Sequence, residues 1–377
     1  MYVGIKGERL EGSEFYKEAF EKGAKACIIN EIEISKESLQ KYKDKIIIQV
    51  KDTIKAIQEV AKYKREGYNI PVVGITGSVG KTSTKDLIAS VLSKKYKTLK
   101  TMANYNNHIG VPLTVLGLKD HTSAVIEIGM NHKGEIRAWA PMAKPSMAVI
   151  TNIGTAHIGI LGSRENILEA KLEMLEGMDR NALVIINNDN DLLHDWYIKN
   201  KNEKNIMTYG IENKSDVMAK NIKFLEKGSE FEVQIGEKTY NAKINVGGTH
   251  FVINALCAIC VGIKNEIPID KILEGIADFE LTKNRMEIIE NKDGVKIISD
   301  CYNASYDSMK AALEYLHRVP GEKKIAILGN MGDLGEFEQE IHEKVGEEVY
   351  KNKVDILITV RRKCKILCKK GNRTGNE

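Results

Sequence analysis

Residues Pro71 to Asp86 read PVVGITGSVGKTSTKD, and no other stretch restricts the fold as tightly. Val72 to Ile75 is a short apolar run, β-branched at three of its four positions, which favours a strand. Gly77, Ser78 and Gly80 follow at once, and Lys81 and Thr82 then open a helix-like stretch, KTSTKDLIASVLSKK. Strand, glycine turn, lysine and hydroxyl, in that order, form the arrangement that cradles phosphate. The glycines let backbone N–H groups approach phosphate oxygens, and the helix N-terminus adds partial positive charge. In this arrangement Lys81 reaches the terminal phosphates and Thr82 holds a magnesium ion. The common spacing G-x-x-x-x-G-K-[ST] would put glycine at position 75, where Ile75 stands, so TGSVGKT is a variant. The alternative is a tight strand–helix turn with a chance Gly-Lys.

The chain of 377 residues predicts two or three domains on a prior of ~100–200 residues each. It is 42% hydrophobic and 29% charged, a globular composition. A net charge of +4 is small for this length, and no basic stripe with interleaved aromatics argues for nucleic acid. No apolar run approaches the ~18 residues of a membrane span, and MYVGIKGERLEG has no apolar signal core. A cytoplasmic protein is expected. Its six cysteines are Cys27, Cys257, Cys260, Cys301, Cys364 and Cys368. Cys257 and Cys260 form C-x-x-C within an apolar helical pattern, without a second pair at zinc spacing, so buried reduced thiols are expected.

Three segments follow from periodicity. Residues 1–68 alternate short strands (Met1–Ile5, Ala26–Ile29, Ile46–Val50) with helices at Glu14–Lys22 and Thr53–Arg65. Residues 69–283 form the largest block, with strand candidates Val72–Ile75, Ala124–Ile128, Met147–Ile150 and Leu183–Ile186. Helical stretches between them, including Lys81–Lys95 and Glu165–Leu175, argue for a parallel sheet covered on both faces. Asp216–Leu225, Ser229–Ile235 and Thr239–Val246 read as antiparallel strands turned at Gly228 and Gly236, before helices Phe251–Ile263 and Ile269–Phe279. Residues 284–377 return to β/α alternation: Val295–Ser299, Lys324–Leu328 and Val354–Val360 as strands, Ser308–His317 and Gln339–Tyr350 as helices. The tail RRKCKILCKKGNRTGNE has no periodicity and reads either as a basic arm or as a frayed end.

Chemistry-bearing residues collect at predicted strand ends. Glu127 ends AVIEIG, where open α/β sheets bind ligands, and beside Thr82 it could complete a magnesium shell; the alternative is a solvent-facing strand end. His157, in TNIGTAHIG, lies on the same edge and is balanced between a structural and a ligand role. The amides of NYNNHIGVPLT either hold a polar substrate or satisfy a turn. Lys171, by itself, reads as a solvated helix lysine. Asp300 ends a strand, and Arg285 is a candidate phosphate clamp delivered by another domain.

Taken together, TGSVGKT, NNHIGVPLT, VIEIGMNHKGEI, ITNIGTAHIGILGS, EAKLEML, NRMEII, DCYNASYDSM and ILGNMGDLGE run in an order that resembles the Mur ligases over nearly the whole chain to Val360. The resemblance implies an α/β fold in three domains: a partial UDP-substrate-binding domain at 1–68, a central P-loop parallel-sheet ATPase domain at 69–283 and an incomplete C-terminal Rossmann-like domain at 284–377. It also implies ATP-dependent amide bond formation in peptidoglycan synthesis. The segments most resemble the branch of the family that joins D-Ala-D-Ala to UDP-N-acetylmuramoyl-tripeptide through an acyl phosphate. By the same resemblance Gly77, Ser78, Gly80, Lys81, Thr82, Ser83, Asn254, Arg285 and Asp300 serve ATP. Thr82 and Glu127 hold one Mg2+; His157 and Lys171, the latter carbamylated, hold a second. Lys81, Lys171 and His157 carry the catalysis. Asn106 and Asn107 lie on the muramoyl-peptide side, and Tyr302, Asn303, Ser305 and Asp307 near the incoming dipeptide. A monomer is expected, with closure of the domains hinged near Lys283-Asn284.

Several positions depart from the family pattern. Cys301, Ser305 and Tyr306 replace the Ser, Asn and Pro of DSYNANPDSM, and Asn330 replaces the aspartate of LGDM. The opening segment with its D-S-R signature and the last strands and helices are missing, which implies truncation at both ends. Two alternatives remain open: a catalytically impaired nucleotide-binding remnant, and another Mur or folylpolyglutamate-type ligase. The NNHIGVP and YNA-x-x-DSM segments argue against the latter.

Overall fold

The computed structural model describes residues 1–360 except Glu226, Lys283, Asn284 and Asp293. The expected hinge and the terminal basic tail, with Cys364 and Cys368, therefore lie outside the described residues. The first segment is a parallel three-stranded sheet of β1 (Tyr2–Val3), β2 (Ala26–Asn30) and β3 (Ile46–Val50), with helices α1 (Tyr16–Glu21) and α2 (Lys36–Lys41). A small core of Tyr16, Phe20, Cys27, Ile29 and Tyr42 lies under them. Helix α3 (Thr53–Glu66) starts where the Asp52 carboxylate accepts from the N–H groups of Ile54 and Lys55. It packs on the next segment more than on its own sheet. Arg65 is buried there and donates from Nε to the Ala143 carbonyl at 2.8 Å, and Gln58 donates to the His108 carbonyl at 2.9 Å.

The central segment has nine strands in one sheet. In chain order they are β4 (Val72–Thr76), β5 (Thr98–Lys100), β6 (Ser123–Glu127), β7 (Met147–Ile150), β8 (Leu183–Asn187), β9 (Ile206–Gly210), β10 (Val217–Leu225), β11 (Gly228–Ile235) and β12 (Lys238–Ile244). Their spatial order is β12-β11-β10-β9-β8-β7-β4-β6-β5. All neighbours run parallel except β10–β11 and β11–β12, so the antiparallel meander read from the sequence extends the parallel sheet. Every residue of β4, β6 and β8 is buried, because helices cover both faces and the strands need no polar side.

Helices α4 (Lys81–Leu92), α5 (Gly110–Leu116), α6 (Glu135–Ala143), α7 (Ile158–Leu161), α8 (Arg164–Leu172), α9 (Asp191–Asn200), α10 (Thr249–Lys264) and α11 (Ile269–Ala277) connect and cover the strands. Alternate strand residues feed two cores. Val73, Ile75 and Val149 meet α4, α10 and α11 on one face; Val72, Ala148 and Ile150 meet α3, α5, α6 and α8 on the other. The amide-rich stretch after β5 runs into a helix, because Gly110 to Pro112 occupy a first turn, where a missing N–H costs no helical bond. Cys257 and Cys260 lie buried and free in α10, and burial raises both thiols.

The last segment contains the antiparallel hairpin β13 (Glu287–Glu290) and β14 (Lys296–Ser299), helix α12 (Tyr306–Arg318), and a parallel pair of β15 (Ile325–Leu328) and β16 (Ile356–Thr359) flanking helix α13 (Glu338–Lys351). Strand β13 was not legible as a strand, since RMEIIE is bounded by charge on both sides. The central cores continue into this segment through Met309, Leu313, Met331 and Leu334 on one side and Met286 and Tyr315 on the other.

Helix α4, which follows the phosphate loop, is pressed against α11 at Gly275. A Cβ there would stand 2.8 Å from the Val91 Cα and 3.1 Å from its N, and Ser90 Oγ donates to the Gly275 carbonyl at 2.7 Å. Only backbone faces the added atom, so Gly275→Ala is expected to cost about 1–3 kcal/mol, read as a lower urea midpoint. An unchanged midpoint would show that the helices separate freely.

Candidate functional site

Strand β4 lies between β6 and β7; the connection after β4 runs towards β5 on one side and that after β7 towards β8 on the other, which opens a crevice at their C-terminal ends. The register sets Ile75 level with Glu127 and Thr76 level with Ile150. Three loops therefore converge: the glycine loop after β4, the end of β6, and TNIGTAH after β7. A cleft of about 510 Å³ occupies this point. It is lined by Ser78, Gly80, Lys81, Thr82, Ser83, Glu127, His157 and Asn254, and by Arg285, Asp300, Tyr302, Asn303, Ser305 and Asp307 from the last segment; Asn106 also reaches it.

The loop is held by its neighbour. Ser78 N–H donates to the Asn152 carbonyl at 3.0 Å, Val79 N–H to Asn152 Oδ1 at 2.9 Å, and Thr151 Oγ1 to the Val79 carbonyl at 2.7 Å. Gly154 N–H donates to Ser78 Oγ at 2.9 Å. Gly77 has φ of +151°, and a Cβ there would lie 1.8 Å from Thr151 Oγ1, so glycine is required twice over. Gly80, at φ +80°, precedes α4. Lys81 folds back, its Nζ donating to the carbonyls of Gly77 at 2.7 Å and Ser78 at 3.2 Å. Burial holds its ammonium below the usual lysine range, Glu127 opposes that, and Arg285 reinforces it.

Glu127 is 1% exposed, which removes the solvent-facing alternative. Its Oε2 accepts from Thr82 Oγ1 at 3.1 Å and its Oε1 from Asn106 Nδ2 at 2.7 Å. The amide pair thus divides the two roles open to it. Asn106 faces the carboxylate, whereas exposed Asn107 turns away from the cleft and accepts from the N–H groups of Ile109 and Gly110. Among the described residues no three His, Cys, Asp or Glu side chains gather to hold a metal. One hydroxyl and one carboxylate on the phosphate side are nonetheless a hard-oxygen pair of the kind Mg2+ uses when phosphates and water complete its shell.

Lys171 is 2% exposed, outside the cleft lining, and its Nζ has neither hydrogen bond nor ion pair among the described residues. This overturns the solvated-lysine alternative. Burial, then the charge of Lys81, pushes it well below the ordinary lysine value. His157 has φ of +65°, and its Nδ1 lies 3.0 Å from Asp333 Oδ2. Burial lowers this imidazole, Asp333 counteracts, and Lys171 and Lys81 lower it further.

The last segment closes the cleft from above. The Arg285 guanidinium stacks 4.0 Å from the Tyr302 ring centroid. Burial raises the Asp300 carboxyl against the opposing effects of Arg285 and the Met286 N–H. Asp307 Oδ2 accepts from Thr155 N–H at 3.2 Å, over Gly154, where a Cβ would come within 2.1 Å of that oxygen. Ser305 caps α12 in a reciprocal capping box with Ser308. Three residues went unselected at the sequence level: Asn152, Asp333 and His250. Asn152 and Asp333 stand inside motifs that were legible, but a loop-bracing amide and a cross-segment carboxylate leave no spacing signal.

Residues 75–262 match the Mur ligase middle domain, and residues 284–371 match the Mur ligase glutamate ligase domain. The UDP-N-acetylmuramoyl-tripeptide–D-alanyl-D-alanine ligase of Bacillus subtilis strain 168 is 37% identical over 361 residues, covering 95% of this chain and 76% of the relative. The chain belongs to the Mur ligase family. Among solved structures, MurF from Acinetobacter baumannii superposes with a TM-score of 0.89 at 29% identity, over 98% of this chain and 79% of that one. The MurF ligase from Thermotoga maritima, solved in complex with ADP, gives 0.86 at 29% identity, over 97% and 82%. This Mur ligase has the family's three-part α/β architecture, with the cleft described above at the junction of its segments. No helix among the described residues is long and apolar enough to cross a membrane.

His250, at the start of α10, lines the same cleft against Phe251, ring centroids 4.4 Å apart. Burial, with the charge of Arg318, lowers its imidazole from 6.5 to about 4. The unfolded chain therefore binds one more proton between these values, and the stabilisation is lost as pH falls through them. Stability should drop by up to about 3 kcal/mol from pH 6.5 to 4, beyond other groups' contributions. Denaturant titrations of His250→Gln should show that component gone; the same acid slope in both proteins would count against the assignment.

Proposed function

We propose that this Mur ligase joins D-Ala-D-Ala to UDP-N-acetylmuramoyl-tripeptide at the expense of ATP. The observation that carries the proposal is the meeting, in one cleft, of a lysine-bearing phosphate loop, the half-buried Thr82 bonded to buried Glu127, and an arginine–tyrosine–aspartate set from another segment. A carboxylate and a triphosphate are both anions, so bringing them together is the physical difficulty. Lys81 leaves the carbonyls of Gly77 and Ser78 for the β- and γ-phosphates, and the loop N–H groups supply fixed dipoles. Ser78, Gly80 and Ser83 contact phosphate, Asn254 the adenine side, and Arg285 and Asp300 approach the nucleotide from above.

The chemistry runs in two displacements. A carboxylate oxygen of the tripeptide attacks the γ-phosphorus, and the bond to ADP breaks. The dipeptide amine then attacks the acyl carbon and loses a proton, the C–O bond to phosphate breaks, and the amide forms. Tyr302, Asn303, Ser305 and Asp307 position the dipeptide, and Asn106 the muramoyl peptide. Asn107 supports the same loop through its turn. Thr82 and Glu127 would hold one Mg2+, and His157 with Lys171 a second; such ions supply charge neutralisation across the phosphates.

Lys171 suits the second site only as an anion. As an ammonium it would repel a cation and Lys81 alike; a neutral amine that attacks CO2 and loses a proton becomes a carbamate. The burial that depresses Lys171 favours the neutral amine, which is the form this addition requires. Residues 1–68 serve the UDP end, 69–283 the ATP and 284–377 the dipeptide. The enzyme acts as a monomer in the cytoplasm, where ATP is supplied.

A second possibility, nucleotide binding without turnover, has one specific support: Asn330 stands where the family carries an aspartate, in the loop that also bears Asp333. Asn330→Asp separates the two, because gain of amide product by that variant alone would favour the impaired form.

Phosphate release should require both UDP-N-acetylmuramoyl-tripeptide and D-Ala-D-Ala; dependence on neither would sink the proposal. Lys81→Ala should lower turnover on the order of 10²–10³-fold or more without loss of fold by circular dichroism. Lys171→Ala should be inactive and regain part of its rate with added short carboxylates. No rescue would remove the carbamate from the scheme while leaving the reaction in place.

A further inference from the structure

One buried carboxylate near the cleft has no part in the chemistry above. Asp86 lies on α4, five residues beyond Lys81, about 7–8 Å along the helix, and is 7% exposed. Its Oδ1 accepts from Lys100 Nζ at 2.7 Å and lies 3.6 Å from Lys85 Nζ, itself almost fully buried. Its Oδ2 accepts from Thr282 Oγ1 at 2.6 Å. These partners belong to different parts of the site. Lys100 ends β5, and the chain from there carries Asn104 and Asn106 into the cleft. Thr282 precedes Arg285 by three residues, a span of at most about 11 Å.

We propose that Asp86 is a positioning residue, which through Thr282 fixes Arg285 relative to the phosphate-loop helix. The proposal rests on ATP binding at Lys81. The three charges account for the burial: one carboxylate between two lysines offsets its own desolvation, leaving the second oxygen free to hold a neutral hydroxyl. Thr282 is the last described residue before Arg285, and Asp300 and Tyr302 follow in the same segment. The arrangement brings two cations, Lys81 and Arg285, to the lining of one cleft. Their mutual influence is already present in the lowering of Lys81 by Arg285.

Asp86→Asn would leave Lys85 buried without its counter-charge and could unfold the protein, so Thr282 is the residue to vary. Binding of ATP with Mg2+ to the full chain is measured by calorimetry for the unmodified protein, Thr282→Val, Thr282→Ser, Arg285→Ala and the double variant Thr282→Val/Arg285→Ala. Thr282→Val should weaken binding about tenfold, the scale of a hydrogen bond to a charged group, and Thr282→Ser less than about twofold. In the Arg285→Ala background the valine substitution should add less than about twofold, because its effect passes through Arg285. Equal losses in both backgrounds, or a serine variant as weak as the valine, would overturn the positioning role. Absence of nucleotide binding in the unmodified chain, or full binding by Lys81→Ala, would overturn the underlying assignment as well.

Discussion

The site depends on the bracing of one glycine loop by the strand connection beside it. Because β4 is flanked by β6 and β7, the segment Thr151 to Gly154 runs alongside residues 77–79 and bonds to them through N–H, carbonyl, amide and hydroxyl groups. A loop with φ above zero at Gly77 and Gly80 has no intrinsic reason to hold one shape. Its shape is set from outside, by Asn152 and Thr151. The same connection continues into His157, so the groups that hold the loop and an imidazole lining the cleft share one short length of chain.

The second dependence is electrostatic. Arg285 bears on Lys81 and Lys81 on Lys171, and the cleft among the described residues has Glu127 as its buried carboxylate. Lys81 and Arg285 repel each other across an empty cleft, and that repulsion is offset when an anion lies between them. Lys81 meanwhile rests on loop carbonyls, and Lys171 is driven toward its neutral form. The site is arranged around an anion, and its resting hydrogen bonds are provisional.

Much of this was legible in the chain. The phosphate loop, Glu127 and His157 stand at the ends of apolar strands, where periodicity and strand order place them without knowledge of the fold. The division of labour between Asn106 and Asn107 was not legible, since two adjacent amides have the same composition signal and only the backbone decides which one faces Glu127. Lys171 read alone as solvated, because an isolated lysine on a helix says nothing about what packs over it. Strand β13 escaped because its exposed apolar residues alternate with nothing that marks a face. Asn152 acts on a loop some seventy residues earlier in the chain and Asp333 acts across segments, and such contacts have no local period. The family resemblance supplied the role of Lys171; the burial that makes that role physically reasonable came from the packing.

Gly154 lies at a contact between the central and last segments. The space that its side chain would fill is taken by the Asp307 carboxylate, which enters from the other segment and bonds to the next N–H. The two halves of the site are thus fitted together where one of them has a hole. Any larger residue at 154 acts as a wedge, excluding Asp307 while leaving the phosphate loop largely to its own partners. One methyl group at this point would therefore displace Asp307 and, through the same segment, Arg285 and Asp300 on the far wall of the cleft.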